Sequence, residues 1–174
     1  MALLSAPASL RIGFGDESTP ERIESPLHTF RFDLTMRRVS GVASAAVDIC
    51  RGGFSECTGL EATMEPKVIK AGGHNYGAAQ RVGRVSFATV VLKRGFTRSH
   101  DLFSWFQLVS GGAYAWRLSA TIVVRDADER PVLVWELDSC LPVKFKAADL
   151  NAKGSEIGIE ELHLAHEGLR LVAP

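Results

Sequence analysis

The sequence predicts a mainly β protein, a β-barrel-like antiparallel sandwich with one α-helix. Three observations carry this. Apolar residues recur with a period of two in successive runs, the pattern of half-buried strands. The links between runs are short and rich in turn residues, as antiparallel hairpins require. One window, residues 99–110, has the apolar spacing of a good helix. At 174 residues the chain suits one domain with a sizeable core.

The elements follow in order. Residues 1–27 are rich in Ser, Pro, Gly and charge. They predict an arm, flexible or ordered on assembly, ahead of a β domain over 28–174. HTFRFDLTM, residues 28–36, alternates cleanly and puts Phe30, Phe32, Leu34 and Met36 on one face. Residues 41–53 suit a hairpin excursion with Val47 and Ile49 in its returning half. Residues 54–70 form an extended run interrupted at Pro66, which donates nothing to a ladder and marks an edge, bulge or break. Residues 71–83, AGGHNYGAAQRVG, hold four glycines and predict a long loop. Residues 84–93 are the most strand-like run, apolar on both faces and so central in its sheet.

In the helical window Leu102, Phe106 and Val109 make the apolar stripe, and Phe103 widens it. Ser99 or Thr97 is the expected cap, Asp101 suits the first turn, and Gly111-Gly112 ends the helix. Residues 117–125 and 132–138 are two alternating runs around DADERP, a hairpin. Runs at 141–147 and 155–166 bring the count to seven or eight strands. In the last run Ile157 and Ile159 share one parity and Leu162 and Leu164 the other. The inward face therefore switches near Glu160-Glu161, and a bulge is expected there.

Charge and composition narrow the function. Lys+Arg and Asp+Glu both number 20, so nothing indicates a polyanion partner. Zero net charge leaves self-association unopposed. Cys50, Cys57 and Cys140 form no CxxC pair and read as free thiols of a reducing cytosol. No signal-peptide pattern opens the chain, and no run approaches the about 20 apolar residues of a membrane span. Synthesis and folding in the cytoplasm are expected.

The residue types of chemistry occur without its arrangement. His163 and His166 point to opposite faces of a strand, so they do not share a metal. His74 and His100 are isolated. Glu56 beside Cys57 opposes a nucleophilic thiolate, and Ser99-His100-Asp101 are helix neighbours that do not face one another. The loop at 71–83 lacks a phosphate-binding signature and is followed by a strand. It reads either as a flexible surface loop or as a contact arm, with Tyr76 and Arg81 the residue types that anchor interfaces. No catalytic residue, metal or cofactor is expected.

FSECTGLEATMEPKVIKAGG, VSFATVVLKRG, LFSWFQLV, DADERPVLVWELDSCLPVKFKAADLNA and EIGIEELHLAHEGL, in this order, resemble the tube proteins of contractile injection systems. These are similar to the tail tube proteins of myophage-type phages. The resemblance runs over residues 54–169, and 28–36 suits the family's first strand. Residues 1–27 and RRVSGVASAAVDICRGG look longer than the family pattern, as in a lineage-specific extension or a specialised ring. The resemblance implies a tail-tube/Hcp-like fold and a non-enzymatic structural subunit. Six copies would form a ring, and rings would stack into a hollow inner tube driven through a target envelope by sheath contraction. It implies as partners the chain itself, a sheath protein, baseplate or spike and terminator proteins, and lumen cargo. It requires no nucleic acid and no membrane insertion by this chain; the particle would be free, membrane-anchored or released. It favours the contact-arm reading and gives as inter-subunit candidates Gly72, Gly73, His74, Tyr76, Arg81, Glu160, Glu161, His163 and His166. The alternative is an Hcp-like secreted ring protein acting as cargo carrier or chaperone. A small β-barrel enzyme is a third reading, and it needs a polar cluster in a pocket.

Overall fold

A computed structural model describes residues 26–38, 48–70, 77–112 and 117–173. Within them every strand pairing is antiparallel and one helix forms. The alternating run near the start becomes β1 (Phe32–Arg38), with Leu34 and Met36 buried. Phe30, expected on the same face, lies before the strand and is exposed. β2 (Asp48–Gly52) returns alongside β1. Val47 and the tip of that excursion lie outside the described residues.

The run 54–70 breaks into β3 (Glu56–Thr58), β4 (Ala62–Met64) and β5 (Lys67–Ile69), with Pro66 between the last two as expected. The run 84–93, read as one strand, is two. β7 (Val85–Phe87) pairs with β4, and only β8 (Val90–Gly95) enters the main sheet, between β3 and a later strand. Between β5 and β7 lies β6 (Ala79–Arg81), paired with β5. The described end of the predicted loop is therefore half of a hairpin.

α1 (Asp101–Ser110) buries Leu102, Trp105 and Val109 and packs against β2 and the long strand described next. Trp105 takes the place expected for Phe106, which is half-buried. Phe103 is exposed and meets the Phe145 ring at 5.3 Å. Neither Ser99 nor Thr97 caps the helix: His100 holds that position without a side-chain bond, and Thr97 Oγ1 instead accepts from Ser99 N–H. Gly111 and Gly112 end it as expected, with Gly112 at φ +107°.

β9 (Leu118–Arg125) and β10 (Pro131–Lys146) form the expected hairpin. Asp126 Oδ1 closes its turn by accepting from the N–H groups of Asp128 and Arg130. β10 continues without interruption through both runs that the sequence separated, kinking at Ser139 (φ 52°). Its first half lies between β9 and β12 (Gly168–Val172), and its second half pairs with β11 (Ile159–Ala165). β12, unforeseen in the sequence, prolongs the line of β11: Leu141 faces Ala165 and Asp138 faces Gly168. The strand order is β2-β1-β9-β10-β11-β8-β3, with β12 beside β10. The core fills with Leu34, Met36, Val90, Leu92, Leu118, Ile122, Leu137, Leu162 and Leu164 under the helix.

The bulge expected at Glu160-Glu161 does not exist. β11 pairs with β8 in unbroken register from Ile159 to Leu164. The buried parity is Glu160, Leu162 and Leu164 throughout, and Ile157 and Ile159 are exposed. A charged residue occupies a core slot, which a hydrophobic pattern reads as a change of face.

This sets the cost of truncation along one strand. Leu162→Ala should lose about 2–5 kcal/mol, and Ile157→Ala within about 0.5 kcal/mol, read by urea denaturation. Comparable losses at both positions would restore the parity switch.

Candidate functional site

The polar feature of the interior is a triad around Arg94. The alternation of β8 carries Val90, Leu92 and then Arg94 into the core, where the arginine is 6% exposed. Its Nε donates to Glu160 on the paired strand β11, and Nη1 and Nη2 donate to both carboxylate oxygens of Asp101 at the start of α1. Nη1 also lies 3.5 Å from Cys50 Sγ on β2, and the guanidinium carbon sits 5.8 Å from the Phe54 ring centre. Burial works against Asp101's charge, but hydrogen bonds from Arg94, Cys50 and Ser99 outweigh it and hold the carboxyl well below its usual range. Burial likewise opposes Arg94's charge, but its bonds to Asp101 and Glu160 outweigh that and raise its pKa above the usual guanidinium value. Two carboxylates converge on one guanidinium inside the domain, so the triad is a clamp between strands and helix.

Glu160, expected at a contact surface, is therefore unavailable to a partner: it is 3% exposed and bound to Arg94. Glu161, the next residue, faces the other side in a row of alternating charge. Lys146, Glu161, Lys93 and Glu56 lie opposite one another across β10, β11, β8 and β3. Lys93 Nζ binds both Glu56 oxygens, at 3.0 and 2.9 Å.

His163 and His166 are half-buried. His166 Nδ1 lies 2.9 Å from Gly168 O, which makes it the protonated nitrogen, and the ring packs at a tilt against Phe87, centroids 5.1 Å apart. The Nε2 atoms of both histidines are buried without a hydrogen-bond partner among the described residues; that of His163 is 3.6 Å from Glu161 Oε2. Among the described residues no three His, Cys, Asp or Glu side chains are grouped to hold a metal.

Burial pushes the Cys50 thiol up to about 12, with a hydrogen bond to Asp101 adding to the effect. Burial alone raises Cys57 to about 11 and is the main cause at Cys140, which reaches about 12. No disulfide joins them. Thiols so poorly ionised at neutral pH are weak nucleophiles.

The exposed device of the chain is an arm. β4 pairs with β7 and β5 with β6, forming two short ribbons in succession with a kink at Pro66 and Gly83. A Cβ at Gly83 would overlap the Glu65 carbonyl, so glycine permits the two strands to approach at the kink. The foot is fixed by Ala88 N–H donating to Glu61 O, and by Gly59, whose φ of +85° and closeness to Thr89 O exclude a side chain. Met64, Val68, Val82 and Val85 are all exposed on it. Arg81 lies exposed on β6 with Lys67 opposite. Gly72, Gly73, His74 and Tyr76 lie outside the described residues. Beside the foot runs an apolar groove of about 380 Å³, walled by Phe32, Cys57, Leu60, Ile122, Leu133 and Trp135. Sequence reasoning missed it, because its walls come from four separate strands and a loop.

The family model described as T4-like virus tail tube protein gp19 matches residues 28–170, and the chain belongs to that family. No curated protein sequence matches it. Among solved structures it is similar to a chain of the anti-feeding prophage baseplate, at 22% identity and TM-score 0.68, covering 87% of this chain and 98% of that one. It is similar to a chain of the sheath-tube complex of an extracellular contractile injection system (PVC), at 16% identity and TM-score 0.71, covering 87% and 95%. A chain of the anti-feeding prophage tube-terminating cap matches at 12% identity and TM-score 0.72, covering 91% and 98%. These likenesses show the shared fold.

Breaking the clamp on one side should be worse than removing it. Arg94→Ala should lose about 3–5 kcal/mol by leaving carboxylates buried without a partner. The triple variant Arg94→Met/Glu160→Leu/Asp101→Asn should recover much of this in urea melts. A triple variant as unstable as the single one would contradict the clamp. Asp101's depressed pKa adds stability that is full above about pH 4, the ordinary carboxylate value, and is lost as pH falls towards the folded-state value. Asp101→Asn should flatten the acid limb of a stability–pH curve.

Proposed function

We propose that this chain is a wall subunit of the inner tube of a contractile injection system, forming hexameric rings that stack into a hollow tube. Its membership of the tail tube family over residues 28–170 carries the reading. The arm supports it, because an exposed ribbon with apolar side chains on a single chain calls for a second surface. So do the strand edges of the main sheet: β2 and β3 end the strand order, and an unpaired ladder is a template for another chain. A contact between unlike surfaces closes into a ring or continues as a stack.

In this reading residues 28–174 are the tube domain and residues 1–27 an arm outside it. The partners are further copies of the chain, a sheath around them, and baseplate and terminator proteins at the ends. The chain has a mechanical and enclosing task and turns over no substrate. The particle is assembled in the cytoplasm, where the chain is made. No described helix is long and apolar enough to cross a membrane.

Electron microscopy and light scattering of the purified protein across a concentration series test this. Rings of six copies, and tubes at higher concentration or on a baseplate template, are the expected result. A monodisperse monomer at every concentration, with no ring on a template, would refute it. Tyr76→Ala/Arg81→Ala should reduce tube formation and leave the melting temperature within a few degrees of the unmodified protein. An equal loss of both would count against an arm that acts between subunits.

A further inference from the structure

We propose that the apolar groove seats residues 10–14 of the same chain, LRIGF, folded back onto the domain that they precede. The contact lies within one chain and so goes beyond the tube reading.

The groove is the open end of the core. Leu34, Ile122, Trp135 and Leu171 lie opposite one another across β1, β9, β10 and β12. Burial fades along this row: Leu34 and Ile122 are covered, Trp135 is half-buried, and Leu171 is 56% exposed. The next pair outward, Val124 and Leu133, is half-buried as well. Phe32, Cys57 and Leu60 complete the walls. A patch of large apolar residues left half-covered marks an interaction surface. The arm does not cover it, since no described residue from Ala62 to Phe87 lines the groove.

Position, pattern and charge select the occupant. The chain enters the described fold on the groove itself, because Leu27 and Thr29 are wall residues. Residues 10–14 are tethered beside it by residues 15–26, whose contour of about 40 Å lets them turn back. Such a tether gives a local concentration in the millimolar range. In LRIGF, Leu10, Ile12 and Phe14 share one parity and offer three apolar side chains to one surface. DESTPER, residues 16–22, holds no large apolar residue and suits the solvated tether. Glu56 is the one charged residue among the groove's walls, and Arg11 is the one charged residue in the stretch 1–15. Arg11 has the other parity and is left at the rim for Glu56. That carboxylate binds Lys93, is 45% exposed and has lone pairs for a further donor.

Cys57 reports occupancy, since it lines the groove while Cys50 and Cys140 are buried in the core. Its thiol, pushed up to about 11 by burial, reacts slowly, so the readout is a ratio of rates. The full chain, diluted until light scattering shows monomer, is treated with N-ethylmaleimide, and modified thiols are mapped by mass spectrometry. Leu10→Asp/Ile12→Asp/Phe14→Asp should raise the Cys57 rate about tenfold, as when a seat occupied about nine-tenths of the time is vacated. Arg11→Glu alone should raise it about twofold. Cys50 and Cys140 should stay unreactive in both, which separates release of the segment from unfolding. In a second arm, p-benzoylphenylalanine at position 14 is photo-crosslinked in an equal mixture of protein with light and heavy nitrogen. The expected product joins position 14 to the peptide carrying Leu133 and Trp135 within one isotope class.

Faster labelling of Cys57 alone, with a link inside one chain, supports the proposal. An unchanged Cys57 rate in the aspartate variant overturns it. So does a link between light and heavy protein, because the occupant is then a second copy. If the aspartate variant exposes all three cysteines, the crosslink decides: a product away from the groove walls overturns the proposal, and one on them within a single chain upholds it. The tube reading is untouched by these results and rests on the rings in the micrograph.

Discussion

The buried arginine on β8 is the constraint from which the rest of the domain follows. Arg94 stands where the alternation of its strand calls for a third aliphatic residue. Once it is there, Glu160 must stand opposite on β11, and the first turn of α1 must bring Asp101 within reach. The helix start is then fixed by a charge, with no side-chain cap of its own. Cys50 and Phe54 close the cage, so the segment around β2 is drawn in as well. A buried ion pair is weak evidence for stability, and here it ties two strands to the start of the helix.

The same triad explains what the sequence concealed. Strands that bury plain hydrophobic residues on one face were legible: Leu34 and Met36 in β1, the β9–β10 hairpin, and the Gly111-Gly112 stop. The inward face of β11 was not, because Glu160 broke the apolar alternation and mimicked a bulge. No local pattern announces that a glutamate will meet an arginine 66 residues away. β12 carried a fair signal in Leu169 and Leu171 after Gly168, but its five residues are easily taken for a tail. The arm was legible only as a glycine-rich gap. Its strands are three residues each and exposed apart from half-buried Ile69 and Phe87, so burial leaves no period to read.

Of the candidate contact residues, the sequence separated poorly those that face outward from those that face inward. Glu160 and Glu161 are neighbours with opposite fates, one locked in the interior and one in a surface ladder of alternating charge. That ladder, Lys146 to Glu56, lies across four strands, with Lys93 and Glu56 joined in an ion pair. The unmet needs lie elsewhere: at the arm, with its bare valines and paired cations, and at the groove beside its foot.

β10 carries a further meaning. Its sixteen residues have a contour of about 50 Å, and it is the one described strand that pairs with β9, β11 and β12 alike. At Ser139 it kinks from one set of neighbours to the other. Asp138 braces that point by accepting Glu167 N–H on its carbonyl and Arg170 on its carboxylate. Tension applied along this strand would load its ladders in shear, so that many hydrogen bonds must yield together.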